Sequence, residues 1–149
     1  MRNRLFSTLV TAGLLLTSFI ASAKGSITVE ITNLRNAKGH VLITLYDKAD
    51  GFPEKGAKTA AGKTKVSIQN GKATATFDNM PAGNYAIATM HDENDNVKMD
   101  FNILHMPKEG YGFSNDAKGT MGPPSFKDAS FAHNGEDKKV TLKMTYFMD

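Results

Sequence analysis

The chain has 149 residues, a formal charge of +3, and no cysteine or tryptophan. This length is typical of a single domain with at most a short additional segment. The absence of cysteine excludes a disulfide framework, thiolate zinc sites, thiol catalysis and lipid attachment to an N-terminal cysteine.

The first 23 residues have the pattern of a secretory signal. Arg2 and Arg4 precede an apolar run from Leu5 to Ile20, and Ala21-Ser22-Ala23 fits signal peptidase. We therefore expect cleavage after Ala23 and a periplasmic or extracellular location, with residues 24–149 forming one domain that has no membrane span. Loss of the two arginines leaves 16 basic and 15 acidic residues, a formal charge of +1. A basic nucleic-acid footprint is thereby excluded.

Short segments with alternating apolar and polar residues predict strands along the rest of the chain. Two adjacent segments at 27–31 and 41–46 predict one hairpin, and segments on either side of Asn70-Gly71 predict another, because Asn-Gly is a strong hairpin-turn signal. Further strands are predicted at 85–90 and 140–147. This pattern predicts an all-β fold, an antiparallel Ig-like or transthyretin-like β-sandwich of about seven strands.

Residues 92–135 show little strand pattern and contain three prolines and five glycines. A connection this long is usually functional or disordered. Aromatic residues are rare in disordered segments, so we expect one long ordered loop, held against the sandwich by Phe101, Tyr111, Phe113, Phe126 and Phe131.

The start of this loop is the best candidate for an ion site. Oxygen-bearing side chains alternate here, as hard cations such as calcium require. The EF-hand pattern is excluded because Val97 and Ile103 stand where that motif has Gly and Glu. A shorter loop with weak calcium affinity, on the order of 10⁻⁴ M, remains. Its predicted ligands are Asp92, Asn94, Asn96, Lys98 (through its carbonyl) and Asp100.

Several motifs resemble a known bacterial family. They are Met80–Ile87, His91–Asn94, Pro107–Ser114, Gly122–Phe126 and Asp128–Phe131. Together they are similar to exported proteins of domain-of-unknown-function family 2141, over essentially all of residues 24–149. The acidic loop usual in that family has Gly where this chain has Val97. The resemblance implies no established activity, but its Pro-Ala-Gly-x-Tyr turn is similar to one in transthyretin-like and carboxypeptidase-regulatory-like sandwiches.

We therefore expect an exported, non-catalytic binding or scaffold module with a protein or glycan partner. Two alternatives remain open. One is a small periplasmic hydrolase that uses carboxylates of the acidic loop. The other is a copper-binding protein, because thioethers and imidazoles suit Cu(I); its candidate ligands are Met90, His91, Met99, His105 and Met106.

Two motifs that could suggest catalysis have simpler explanations. Gly112–Asp116 begins like a nucleophile elbow around Ser114, but Asp116 replaces the closing glycine, which favours a plain turn. His91 and Asp92 are neighbours in a predicted strand, where successive side chains point to opposite faces. His91 is therefore expected to be a hydrogen-bond anchor.

Overall fold

The structure is a computed structural model that describes residues 23–54 and 58–147. The predicted signal segment lies outside the described residues, apart from Ala23. Among the residues described, no helix is long and apolar enough to cross a membrane.

Within the described ranges the chain forms eight strands and little helix. A 3-10 turn covers Ser114–Asp116 and a single helical turn, α1, covers Phe126–Ala129. The strands are β1 (Lys24–Thr32), β2 (His40–Tyr46), β3 (Gly62–Val66), β4 (Ala73–Pro81), β5 (Gly83–Asp92), β6 (Gly110–Phe113), β7 (Phe131–His133) and β8 (Lys138–Lys143).

The strands build two sheets that face each other. The first is three-stranded, in the order β4-β1-β8, and the second is five-stranded, with β3-β2-β5-β6 in a row and β7 paired to β5. The predicted β-sandwich is therefore confirmed. The structure adds one detail to it: β1 and β8 run parallel, from Ile27 beside Lys138 to Thr32 beside Lys143.

The core lies between the inward faces of the two sheets. Alternation of apolar and polar residues predicted these faces, because a strand with one buried side repeats every second residue. The confirmed core positions include Ile27, Val29 and Ile31 of β1, Val41, Ile43 and Leu45 of β2, and Leu142 and Met144 at the C-terminal end, all at most 1% exposed.

Both predicted hairpins are wrong in their pairing. β1 pairs with β4 and β8, whereas β2 pairs with β3 and β5 in the opposite sheet. At the second site, Asn70 and Gly71 do adopt positive φ angles of 52° and 73°. Within the described part of the chain, a single bridge between Gln69 and Lys72 joins the two arms there. The arms then separate, β3 into one sheet and β4 into the other.

The segment 92–135 is ordered as expected, but it contains secondary structure that the sequence pattern did not predict. β6, the 3-10 turn, α1 and β7 all lie within it. Phe113 and Phe126 pack on Phe52 with ring centroids 6.1 and 5.8 Å away, and Phe131 packs near Tyr85. Phe101, by contrast, is 54% exposed and does not anchor the segment.

Ser114 joins α1 to the five-stranded sheet from a fully buried position. Its hydroxyl accepts the N–H of Ile87 at 2.8 Å and donates to the carbonyl of Ala129 at 2.5 Å. A hydroxyl engaged in this way has a structural role, which agrees with the expectation that this motif is no nucleophile elbow.

Replacing Ser114 by Ala should therefore destabilise the fold. The substitution leaves a buried N–H and a buried carbonyl without partners, which costs about 1–3 kcal/mol. We expect this loss in the free energy of unfolding measured by urea denaturation. Ser130→Ala is the matched control, because that hydroxyl donates only to the nearby Lys127 carbonyl near the surface. Equal losses in the two variants would contradict the structural role of Ser114.

Candidate functional site

The predicted ion loop lies at one end of the sandwich, where three parts of the chain meet. They are the β1–β2 connection (residues 33–39), the segment between β5 and β6 (residues 93–109) and the chain after β8 (residues 144–147). Asn33 ties the first to the third by donating its side-chain amide to the Met144 carbonyl at 2.8 Å.

Asp92 is fully buried and directed at the backbone of its own loop. Its Oδ1 accepts the N–H of Asn96 at 3.1 Å, and its Oδ2 accepts the N–H of Val97 at 2.8 Å. Val97 has φ of 61°, a region that β-branched residues rarely occupy. The bond to Asp92 holds Val97 there, and the same conformation explains why glycine suits this position.

Three of the five predicted ion ligands come together. The side-chain amides of Asn94 and Asn96 both donate to Oδ2 of Asp100, at 2.6 and 3.1 Å. To bind a cation jointly with Asp100, these amides would have to turn their oxygens toward it, because the NH₂ groups face the carboxylate. Asp92 is engaged elsewhere, and Lys98 donates its backbone N–H to Asn96. The residues described contain no group of three or more Asp, Glu or His side chains that could hold a metal.

Glu109 closes the acidic loop from below and was not predicted as a site residue. Its carboxylate, only 4% exposed, accepts the N–H of Glu93 at 3.1 Å and that of Asp100 at 3.2 Å. Burial raises the pKa of Glu109, although these two hydrogen bonds act in the opposite direction. One carboxylate thus joins the first and the last part of the loop.

Arg35 and Asn36 hold Glu93 from the β1–β2 connection. The Arg35 Nη2 lies 2.5 Å from Glu93 Oε1, and the Asn36 amide donates to Oε2 at 2.8 Å. Burial opposes ionisation of Glu93, but hydrogen bonds from Asn36 and Arg35 outweigh it and hold the pKa of Glu93 below its ordinary value. We call Arg35, Asn36, Glu93 and Glu109 the polar clip.

His91 is the hydrogen-bond anchor that the sequence indicated. Its Nε2 lies 2.8 Å from the Lys38 carbonyl and its Nδ1 lies 2.6 Å from the Tyr146 hydroxyl. A carbonyl only accepts, so Nε2 carries the proton and Nδ1 accepts from Tyr146. The Tyr146 hydroxyl in turn accepts the backbone N–H of Arg35 at 3.2 Å. Burial raises the pKa of Tyr146, which keeps this donor protonated.

Beyond the acidic loop, residues 101–107 form a small ordered hairpin. Phe101 pairs with Pro107, and the Asn102 N–H donates to the Met106 carbonyl at 2.9 Å. The hairpin ends in Ile103 and Leu104, which are 97% and 75% exposed. We call these two residues the apolar tip. The sequence does not mark these two residues as exposed, because apolar residues occur both in cores and scattered over protein surfaces.

The structure also bears on the two alternative functions, a hydrolase that uses loop carboxylates and a copper-binding protein. Glu93 and Glu109 do line an open depression of about 260 Å³. Each of these carboxylates also accepts the structural hydrogen bonds described above. His91, one of the candidate copper ligands, has both ring nitrogens hydrogen-bonded.

A family model matches residues 29–141, most of the chain. The chain belongs to DUF2141. This family is described as uncharacterized proteins conserved in bacteria, and its assignment confirms the resemblance noted in the sequence. The match to DUF2141 covers every strand of the structure except part of β1 and β8 at its two ends.

Comparison with curated proteins finds no match for the chain. Among solved structures, a fimbrial assembly protein from Parabacteroides distasonis is 9% identical with a TM-score of 0.36, over 85% of this chain and 53% of that one. A pilus-presented adhesin, Cpa, is 16% identical with a TM-score of 0.27, over 82% of this chain and 27% of that one. The chain thus spans about half the length of the first protein and about a quarter of the second.

Replacing Tyr146 by Phe should weaken this end of the sandwich. The variant keeps the ring but removes the hydroxyl that donates to buried His91 and accepts from Arg35, at a cost of about 1–3 kcal/mol. The loss is measured as the change in the free energy of unfolding. Tyr111→Phe is the control, since Tyr111 is a half-buried tyrosine with no hydroxyl bond among the residues described. A Tyr146→Phe protein as stable as this control would contradict the assignment.

Proposed function

We propose that this DUF2141 protein is an exported, non-catalytic β-sandwich module that uses residues 93–109 as a recognition surface. One observation carries the proposal: the segment is fixed at its base by the polar clip, yet it presents the apolar tip to solvent. Fixing a loop before binding lowers the entropy that binding must offset. Rigid positioning of exposed apolar residues is therefore what a recognition surface requires.

We propose no catalytic role because the side chains that could catalyse a reaction are engaged in structural hydrogen bonds. Ser114 bridges α1 and β5, His91 bonds to Tyr146 and Lys38, and Asp92 holds the backbone of the acidic loop. General acid–base catalysis needs a group within reach of a substrate proton. These groups instead serve buried backbone or side-chain partners.

Export is supported by the sequence of the first 23 residues, with two arginines, an apolar run and a small-residue cleavage pattern. The partner would then be met in the periplasm or outside the cell.

A photo-crosslinking amino acid placed at Leu104 tests the recognition surface. In a bacterium that produces the protein, we expect covalent adducts, detected by gel shift and mass spectrometry, because Leu104 is at the contact. Met121 provides the matched control position, since it is 99% exposed and lies outside residues 93–109, between the 3-10 turn and α1. Adducts at neither position, or equally at both, would contradict the proposal.

Calcium binding by the acidic loop is a second proposal, favoured by the convergence of Asn94 and Asn96 on Asp100. One carboxylate and two amide oxygens, supplemented by carbonyls and water, form a weak oxygen site. Binding would draw the two amide oxygens toward Asp100 and stiffen the base of the hairpin.

This second proposal predicts stabilisation by calcium. At a calcium concentration ten times Kd, the native state gains about 1.4 kcal/mol by mass action, which differential scanning calorimetry detects as a raised Tm. Asp100→Asn should abolish the calcium-dependent rise, and magnesium should produce less of it because it demands stricter geometry. An unchanged Tm in millimolar calcium would refute calcium binding while leaving the recognition surface untouched.

A further inference from the structure

Asparagine is followed by glycine at two places in the chain, Asn70-Gly71 and Asn134-Gly135. An asparagine before glycine is chemically labile, because glycine has no side chain to shield its backbone nitrogen from the amide carbon of the asparagine. Two such dipeptides differ in reactivity when the fold leaves one free to rearrange and holds the other. The two asparagines of this chain lie in surroundings that differ in this way.

Asn70-Gly71 forms the exposed tip of a tight turn. Two backbone hydrogen bonds close the turn, and both join Gln69 to Lys72, at 2.8 and 3.0 Å. Neither bond uses an atom of Asn70 or Gly71, and the Asn70 side chain has no hydrogen bond among the residues described. A Cβ added at Gly71 would meet no atom within 4 Å outside its chain neighbours. The carboxamide of Asn70 is therefore free to turn toward the Gly71 nitrogen.

Asn134-Gly135 is held on both sides of its peptide bond. The Asn134 amide donates to the Glu136 carboxylate at 2.9 Å, and its oxygen accepts the Glu136 N–H at 3.1 Å. Gly135 is buried against the residue that precedes β1, where an added Cβ would lie 2.5 Å from the Ala23 carbonyl oxygen. Turning this carboxamide toward the Gly135 nitrogen would break both hydrogen bonds in a tightly packed place.

We propose that Asn70 is a site of spontaneous deamidation, the reaction that converts an asparagine amide to a carboxylate through a succinimide. The Gly71 backbone nitrogen gives its proton to hydroxide and bonds to Cγ of Asn70. The Cγ–Nδ2 bond then breaks, and Nδ2 takes a proton from water and leaves as ammonia. Water finally opens the five-membered ring at one of its two carbonyl carbons, which yields aspartate or isoaspartate. An open depression of about 500 Å³, lined in part by Asn70, gives water access to the turn.

The products alter the connection between the two sheets, because this turn lies between β3 of one sheet and β4 of the other. Isoaspartate carries an extra methylene in the main chain, so the turn no longer fits the two hydrogen bonds between Gln69 and Lys72. Aspartate keeps the ordinary main chain and adds one negative charge. Deamidation of Asn70 thus weakens this connection as the protein ages.

Peptide mapping of aged protein tests the proposal. Trypsin places the two asparagines in separate peptides, Val66–Lys72 and Asp128–Lys138. After incubation in mildly alkaline buffer, which favours loss of the glycine N–H proton, mass spectrometry measures the fraction of each peptide converted to the acid. We expect conversion at Asn70 to be about tenfold faster or more, because two hydrogen bonds must first break at Asn134. Equal rates at the two positions in the folded protein would overturn the proposal.

Incubation in denaturing urea separates the effect of the fold from that of the flanking residues. Unfolding removes the contacts of both dipeptides, so the two asparagines should then react at similar rates. A difference as large in urea as in the folded protein would assign it to the flanking residues and overturn the structural argument.

The variant Glu136→Ala removes the carboxylate that holds the Asn134 amide. It should accelerate deamidation at Asn134 severalfold and leave the rate at Asn70 unchanged. Glu136 is exposed, so the substitution is compatible with folding, which urea denaturation checks. An unchanged rate at Asn134 would contradict protection by this side chain.

The effect on the sheets is measured on the deamidated fraction of the native chain, separated by ion exchange. Its free energy of unfolding should be lower than that of the Asn70→Asp variant, which carries the same charge on an ordinary main chain. Equal values would refute the weakened connection between the sheets.

Discussion

Strand β1 is the element on which the three-stranded sheet depends, because β4 and β8 each pair with it and not with each other. One partner lies in the first half of the described chain, and the other is its last strand. The chain has no disulfide to enforce this closure, so hydrogen bonds and the core side chains Ile27, Val29 and Ile31 must supply it. Pairings so distant in sequence require the chain to lose much entropy before they form, which is a feature of slow-folding β-proteins.

At the end of the sandwich that carries the acidic loop, a buried carboxylate holds distant parts of the chain together. Removing Glu109 from water is unfavourable unless its oxygens find donors, and it finds them in the backbone of Glu93 and Asp100. Arg35 then fixes Glu93 to the β1–β2 connection. The segment between β5 and β6 is ordered by this chain of polar contacts and not by a core of its own, which leaves its apolar side chains available at the surface.

The sequence predicted the sandwich and most of its core because burial on one face imposes a period of two. It could not predict strand partners, since a turn such as Asn70-Gly71 is local whereas the choice of sheet is set by packing of the whole chain. β6 escaped detection for a physical reason. A Cβ at Gly110 would lie 2.5 Å from the Tyr146 ring, and one at Gly112 would lie 2.8 Å from the Lys143 carbonyl oxygen. Its inward positions are therefore glycines, so this four-residue strand lacks the buried apolar side chains that mark a half-buried strand in a sequence.

The candidate site could be predicted only in part, because local spacing is readable from a sequence whereas three-dimensional placement is not. Alternating oxygen side chains marked Asn94, Asn96 and Asp100, which do converge. Spacing alone could not show that Asp92 turns inward to the backbone, or that Glu109, separated from the loop by the whole hairpin, returns to close it.

The parallel arrangement of β1 and β8 gives the molecule two distinct poles. β1 begins at Lys24 and runs about 30 Å toward the end that carries the polar clip, and β8 runs the same way. Lys24 consequently sits at the pole farthest from Ile103 and Leu104. An affinity tag or an immobilising linker joined ahead of Lys24 would attach the protein at the pole opposite the hairpin and leave the hairpin accessible to solvent.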